Sequence, residues 1–249
     1  MDLFDIVIPL GLNDLSVIKE QLSHTKKNVV GFRNIYIVTN EKIDFDDKNV
    51  IIIKEYFFPF CVENISKMRG NSPRSNWYLQ QLIKLYSGFV ITGILPRYLV
   101  IDADTFFLNP TTFVSNNRCL FNFGTENHKP YFTHMSKLHP LFEKQINLSG
   151  ICHHMIFDTN VIKQMFNMVE NLHKQPFWVS FINLVNEEDY EFSGASEYEI
   201  YFNFVIKFTD IYIIRELKWK NVSYPYKNVD VSLSYVSCHH YMRDSMRDL

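Results

Sequence analysis

The sequence lacks the charge excess that marks proteins binding nucleic acid or anionic lipid. Its 249 residues carry 25 Lys and Arg against 27 Asp and Glu, a formal net charge of −2, so no basic patch is indicated. No apolar run reaches the roughly 20 residues of a membrane-spanning helix. The first residues also lack the basic segment and cleavage site of a secretory signal. We therefore expect a soluble, cytoplasmic protein with no nucleic-acid partner.

Cysteine is scarce and is never found in closely spaced pairs. Because structural zinc sites and disulfide-rich scaffolds need such spacings, both classes are excluded. We expect four reduced, mostly buried thiols, at Cys61, Cys119, Cys152 and Cys238.

Apolar material is plentiful, since hydrophobic residues make up 47% of the chain and aromatic residues 16%. Short apolar runs predict strands at residues 6–10, 34–40, 50–53, 97–101, 119–123, 154–157 and 229–237. Helical patterns lie between them, at residues 14–21, 76–86 (capped by Asn76), 160–172, 175–185 and 196–208. Apolar strands alternating with helices predict an α/β fold, with a mostly parallel, Rossmann-like central sheet covered by helices.

Two aspartates directly follow one of these strands, in Tyr98-Leu-Val-Ile-Asp102-Ala-Asp104-Thr105. Ligands of open α/β sheets bind beyond the carboxyl ends of strands, and side chains two apart point to the same side. Both carboxylates therefore face one small space. Hard oxygen ligands suit Mn²⁺ or Mg²⁺ together with diphosphate oxygens. The pattern predicts a divalent metal on Asp102 and Asp104, against the alternative of two solvated turn residues.

A helix, a hydrophobic strand, the Asp-Ala-Asp triplet and a short apolar stretch ending in Asn109-Pro110 resemble GT-A glycosyltransferases. The arrangement is similar to that of glycogenin-like enzymes. The first strand, ending at Pro9, and the helix Trp77-Tyr-Leu-Gln-Gln-Leu-Ile-Lys84 resemble uncharacterised GT-A-like proteins of bacteria and large DNA viruses. The resemblance implies a metal-dependent glycosyltransferase that moves a sugar from a nucleoside-diphosphate sugar, with UDP expected, to a glycan or other hydroxyl acceptor.

The length of the chain, with no internal repeat or low-complexity linker, predicts one domain. We expect a nucleotide-binding part at residues 1–110 and an acceptor-binding part at residues 111–249. Base, ribose, diphosphate and donor sugar would be held by loop and helix residues next to the aspartates. These are Pro9, Leu10, Asn13, Thr39, Asn40, Arg74, Gln81, Lys84 and Ala103 together with Asp102.

Histidines and glutamates supply further candidates. In several GT-A families a C-terminal histidine joins the two aspartates on the metal, and either His239 or His240 fits that role here. His153 and His154 are candidates to orient a hydroxyl or to act as a base. An inverting reaction needs a carboxylate base, and because Glu197 and Glu199 do not share a helix face, we assign that role to Glu197 alone, with Asp104 as the other catalytic residue.

Three rival functions share parts of this pattern. A haloacid-dehalogenase-type phosphatase would carry Ser or Thr two residues after the second aspartate, where this chain has Phe106. A nucleotidyltransferase would have a Gly-rich basic loop, which Gly11-Leu-Asn-Asp14 is not. A non-catalytic protein that binds a nucleotide or glycan on the same fold remains the main alternative.

Overall fold

The computed structural model describes residues 3–226 and 229–243. A five-stranded sheet is formed by β1 (Phe4–Pro9), β3 (Phe32–Val38), β4 (Val50–Ile53), β5 (Arg97–Ile101) and β10 (His154–Asp158), in the order β10-β5-β1-β3-β4. β10 is antiparallel to β5, and the other neighbours are parallel. The predicted α/β class and mostly parallel sheet are confirmed.

Helices cover this sheet on both faces, as parallel strands require. They are α1 (Ile18–Asn28), α2 (Val62–Arg69), α3 (Ser75–Val90), α4 (Lys129–Leu138), α5 (Thr159–His173), α6 (Phe177–Asn183), α7 (Glu187–Tyr190) and α8 (Glu197–Phe208). No helix among the described residues is long and apolar enough to cross a membrane.

Short strands form three smaller sheets beside the main one. They are β2 (Val29–Val30), β6 (Thr105–Phe107), β7 (Thr111–Thr112), β8 (Val114–Ser115), β9 (Arg118–Phe121), β11 (Tyr212–Ile214), β12 (Trp219–Asn221) and β13 (Tyr235–Ser237). The sheet β12-β13-β6 pairs the strand after the aspartates with the strand Tyr235–Ser237 near the C-terminus.

β5 lies inside the core, and this explains where its aspartates emerge. Tyr98 and the three residues that follow it in β5 are fully buried. The Tyr98 hydroxyl lies 3.0 Å from the carbonyl oxygen of Lys84 and 3.2 Å from that of Leu85, which joins the strand to α3. Because β1 and β5 run parallel, Leu10 and Asp102 leave the sheet at the same edge.

Several local predictions were wrong. Asn76 does not cap α3, since the helix begins one residue earlier, with Arg74 at its N-cap and no side-chain cap. The predicted strand 229–237 is confined to β13, because Asp230 and its neighbours form a turn closed by side chain and backbone. The helix predicted over 14–21 begins only at Ile18, after a short 3₁₀ turn. The thiols are free, as expected.

The buried carboxylate of Asp5 joins β1 to β3 and to the segment that leads into β5. Replacing it tests how much these contacts contribute to stability. It accepts hydrogen bonds from Arg33 at 2.6 and 3.1 Å and from the backbone N–H groups of Asn34 (3.0 Å) and Leu95 (2.7 Å). Asp5→Ala leaves these donors unpaired, and we expect the free energy of unfolding in urea to fall by about 3 kcal/mol. The exposed Asp46→Ala should change it by less than about 0.5 kcal/mol. Equal effects of the two variants would contradict the role of Asp5.

Candidate active site at the carboxyl end of the central sheet

Asp102 lies at the centre of a cluster of charged and aromatic side chains. Its backbone N–H donates to the carbonyl oxygen of His153 at 2.9 Å. Its Oδ1 is 2.7 Å from Nζ of Lys84 and accepts a hydrogen bond from the Tyr198 hydroxyl at 2.9 Å. Its Oδ2 is 3.6 Å from Nδ1 of His153. Oδ1 therefore has two close partners, Lys84 and Tyr198, while Oδ2 lies farther from His153.

Lys84 of α3 is buried and faces two carboxylates. Its Nζ lies 2.7 Å from Asp102 Oδ1 and 2.7 Å from Glu197 Oε1, and 4.2 Å from the centre of the Tyr198 ring. Burial alone lowers the pKa of Lys84, but the two carboxylates more than reverse this and raise it above the usual value. Lys84 is therefore a permanent cation in the folded protein.

The two carboxylates respond differently to this single cation. Burial raises the pKa of Asp102, but Lys84 and His153 outweigh it, so that pKa lies well below its usual range. For Glu197 the burial effect is the larger one, and its pKa is raised despite Lys84. Asp102 is consequently the firmly ionised member of the pair, which suits a ligand for a cation.

The start of α8 sets the position of Glu197. Ser196 caps the helix, its hydroxyl accepting the N–H of Glu199 at 3.2 Å, as the Ser-x-x-Glu pattern predicts. The N–H of Glu197 donates to Oε1 of Gln81 at 3.0 Å, so α3 and α8 are joined by backbone and side chain. Glu199 turns away and accepts from Ser149 and Gly150, which agrees with the choice of one glutamate.

Asp104 is held by the end of the chain. Its Oδ1 accepts from the Ser237 hydroxyl at 3.2 Å, and its carbonyl oxygen accepts the N–H of Cys238 at 2.9 Å. Its Oδ2 lies 3.4 Å from Nδ1 of His239 and 3.8 Å from Arg243. The hydrogen bond and charge of Asp104 raise the pKa of His239 above its usual value.

Of the two C-terminal histidines, the structure brings only His239 to the aspartates. His240 is exposed and its ring lies against Tyr241, so the geometry favours His239 of the two alternatives. The register between β13 and β6 explains the difference, because Ser237 pairs with Thr105 and thereby places His239 beside Asp104.

Arg243 ties the segment after β13 to the loop after β1. Its guanidinium donates to the carbonyl oxygens of Asn13 (2.7 Å) and Cys238 (2.9 Å) and to the carboxylate of Asp14 (2.6 Å). Burial and the nearby Asp104 raise the pKa of Asp14. The loop after β1 and the segment after β13 thus meet at the aspartates.

The other predicted binding residues divide into two groups. Pro9, Leu10 and Ala103 are buried at the edge of the sheet where the aspartates emerge. The remaining three make contacts of their own elsewhere. Thr39 accepts from the N–H of Glu41, Asn40 bonds the Glu55 side chain at 2.8 Å, and Arg74 lies over the Trp77 ring and reaches the carbonyl of Glu191.

Sequence reasoning overlooked several residues of the cluster. The sequence singles out neither Tyr198 nor Arg243, and it indicates His153 for orienting a hydroxyl or acting as a base rather than for contacting Asp102. His154, the other histidine weighed there, is fully buried between Phe107 and Tyr235. No local signal marks these roles, since each depends on contacts between residues far apart in sequence.

Comparisons with known proteins agree with this architecture. A model of the family of unknown function DUF6492 matches residues 18–222. The chain belongs to this family. Its fold is similar to that of mouse xyloside xylosyltransferase 1 in the apo form, with a TM-score of 0.50, 12% identity, and coverage of 96% of this chain and 99% of that chain. No curated protein matches the sequence. The fold of this DUF6492 member is therefore that of a GT-A-type glycosyltransferase.

The side chains around Asp102 and Asp104 are of types that bind divalent cations, although they are not gathered around one point. Within residues 3–226 and 229–243, no three His, Cys, Asp or Glu side chains stand close enough together to hold an ion. Asp102, Asp104, His153 and His239 nevertheless form a continuous series, because the two histidine rings meet at 5.0 Å. Carboxylate and imidazole groups in this combination fit Mn²⁺.

Lys84 should be indispensable for the stability of the cluster. Lys84→Met leaves the buried Glu197 and the ionised Asp102 without their cation, and we expect about 3–5 kcal/mol less free energy of unfolding in urea. Without Lys84, burial leaves the pKa of Glu197 above its ordinary value in the folded state, so the variant should lose further stability as the pH rises above the ordinary pKa of a glutamate.

A matched control is Lys19→Met on the exposed side of α1, which should stay near wild type at every pH. Adding Glu197→Gln to Lys84→Met should restore part of the loss. A double variant no more stable than Lys84→Met would show that Glu197 is not the partner that matters.

Proposed function

We propose that this protein transfers a sugar from a nucleoside-diphosphate sugar, with UDP as the expected nucleotide, to a hydroxyl acceptor, with the help of Mn²⁺ or Mg²⁺. The observation that carries the proposal is the position of Asp102 and Asp104. Both emerge where β5 ends, beside the ends of β1 and of the C-terminal strand β13. Open α/β sheets bind their ligands at this edge.

The charges of the cluster suit a diphosphate and its cation. Lys84 contacts Oδ1 of Asp102, whereas Oδ2 of Asp102 lies 3.6 Å from His153 and Oδ2 of Asp104 lies 3.4 Å from His239. Asp102, Asp104 and His239 are the residues that would hold the ion. When bound, a divalent ion supplies Lewis-acid stabilisation of the negative charge that develops on a departing diphosphate.

The chain's own residues prepare the site for that charge. Lys84 and Tyr198 fix the Asp102 carboxylate and keep it ionised. Gln81 positions Glu197 through its Oε1, and its Nε2 has no hydrogen-bond partner among the described residues. We propose Gln81 and Lys84 as the helix groups next to the donor. Arg74, which lies against Trp77 and Glu191, has a weaker claim to that role.

A binding protein without catalysis is the second candidate. It is favoured by the ion pairs that Lys84 makes with Asp102 and Glu197, and by the lack of three gathered metal ligands in the described part of the chain.

A thermal-shift panel of nucleoside diphosphates and nucleotide sugars, UDP-xylose included, separates the possibilities when each ligand is tested with and without Mn²⁺. A ligand at about 100 times its Kd stabilises the native state by about 2.7 kcal/mol. Absence of any Mn²⁺-dependent shift would overturn the proposal, and a shift without donor hydrolysis would favour the binding protein.

Asp104→Ala should abolish metal-dependent hydrolysis of the donor while leaving the fold intact. Loss of several kcal/mol of charge stabilisation corresponds to a fall of about a hundredfold or more in kcat/KM. Release of the nucleoside diphosphate measures the rate, and the far-ultraviolet circular dichroism spectrum monitors the fold. The exposed Asp210→Ala serves as the control. Turnover by Asp104→Ala equal to that of the control would refute the assignment.

Glu197 is proposed as the base for an inverting reaction. In that case Glu197→Gln should lower kcat by about a hundredfold or more, with little change in the KM of the donor. The anomeric configuration of the product, read by NMR, establishes whether the reaction inverts. An inverted product made at the wild-type rate by the variant would leave Glu197 only as the partner of Lys84.

A further inference from the structure

β4 is the last strand on one side of the central sheet, and its outer edge has no strand partner in the part of the chain that the structure describes. The carbonyl oxygens of Asn49 and Ile53 accept backbone N–H groups of β3 and of the residue after it. Backbone groups of successive strand residues alternate between the two edges. Ile52 and Lys54 therefore direct theirs outwards, as does the carbonyl of Val50.

The residues of β4 suit pairing with a further strand. Val50–Ile53 consists of one valine and three isoleucines, and the isoleucines are only half-buried. Natural sheet edges are usually protected by a charged residue, a proline or a bulge. None of these interrupts β4, whose register with β3 is regular. The edge is therefore open to another β4 of the same kind.

Two exposed aromatic side chains follow this edge directly. Tyr56 and Phe57 are 73% and 60% exposed, and their ring centroids lie 4.6 Å apart. They belong to a short 3₁₀ turn, Glu55–Phe57, at the carboxyl end of β4. Single exposed apolar side chains are common, whereas contiguous ones mark interaction sites. The aromatic pair thus extends the apolar edge of β4.

A cavity lies beside the opposite end of β4. It has a volume of about 370 Å³ and lies between α1 and the loop before the strand. Its lining residues are Lys19, Leu22, Ser23, Lys26 and the four residues 44–47. When two β4 strands run antiparallel, the carboxyl end of each lies beside the amino end of the other. The aromatic pair of one copy then approaches the cavity of the other, where lysine ammonium groups can lie over its rings.

We infer that this protein forms a symmetric dimer in which the outer edges of two β4 strands pair antiparallel. A twofold axis brings the same surface of both copies together, and an antiparallel edge pair meets this condition. Pairing centred on Ile52 joins the outward groups of Val50 in each copy to those of Lys54 in the other. Pairing centred on Ile51 would place Lys48 opposite Lys54, and like charges directly opposite each other are unfavourable.

The first test is sedimentation velocity of the full chain over a concentration series. We expect a monomer–dimer equilibrium in the wild type. Phe57→Asp should raise the Kd of the dimer by about tenfold or more, because aromatic anchors dominate interfaces of this kind. Phe192→Asp is the matched control, since Phe192 is 67% exposed and lies far from β4 in the chain. Thermal unfolding of each variant checks that the fold is kept.

The second test is a disulfide that only the proposed register allows. In a pair centred on Ile52, the two Ile52 Cα atoms lie about 5.5 Å apart, within the range that a disulfide spans. Ile52→Cys should therefore form a covalent dimer under mild oxidation, read on a non-reducing gel. The Ile51 residues of the two copies are diagonal neighbours, about 7–8 Å apart, so Ile51→Cys should cross-link far less.

A wild type that stays monomeric at its highest soluble concentration overturns the inference, whether or not another protein binds this edge. A dimer whose Kd is unchanged by Phe57→Asp does so as well, as does equal cross-linking of Ile52→Cys and Ile51→Cys. Dimerisation and sugar transfer are tested separately. A dimer without donor hydrolysis leaves the interface standing, and donor hydrolysis by a monomer leaves the proposed function standing.

Discussion

A single ammonium group shared by two carboxylates is the constraint on which the candidate site depends. Lys84 is withdrawn from water, so its charge is stable only because Asp102 and Glu197 face it at 2.7 Å. The same contact keeps Asp102 ionised against the effect of burial. The lysine thus fixes the orientation and the charge of the carboxylate at the end of β5.

This interaction also joins distant parts of the chain. Lys84 and Asp102 come from the helix and strand that cross the middle of the fold, whereas Glu197 and Tyr198 open a helix nearly a hundred residues later. Burying two carboxylates near one lysine is unfavourable unless all three sit in register. The geometry of the cluster is therefore linked to correct packing of α3 against α8. A displacement of either helix would also displace the side chains that contact Asp102.

The sequence predicts the strands and the aspartates well because both depend on local pattern. Residues 97–101 form a strand with the predicted bounds, and the Ser196 cap places Glu197 at the start of α8. Tyr198, Arg243 and the approach of His153 to Asp102 could not be predicted, since they depend on the antiparallel pairing of β10 with β5 and of β13 with β6. The choice between His239 and His240 likewise needs the register of β13, which an alternating pattern over 229–237 does not supply.

The position of β5 in the sheet has a consequence for how the chain folds as it is synthesised. β1, β3, β4 and β5 can pair once residue 101 is made, but the partner on the other side of β5 comes only with β10. Until residue 158 has left the ribosome, the Leu-Val-Ile segment of β5 has an unpaired edge. Unpaired strand edges promote aggregation between chains. The strand that leads to the aspartates therefore keeps an open edge until the antiparallel strand β10 arrives and pairs with it.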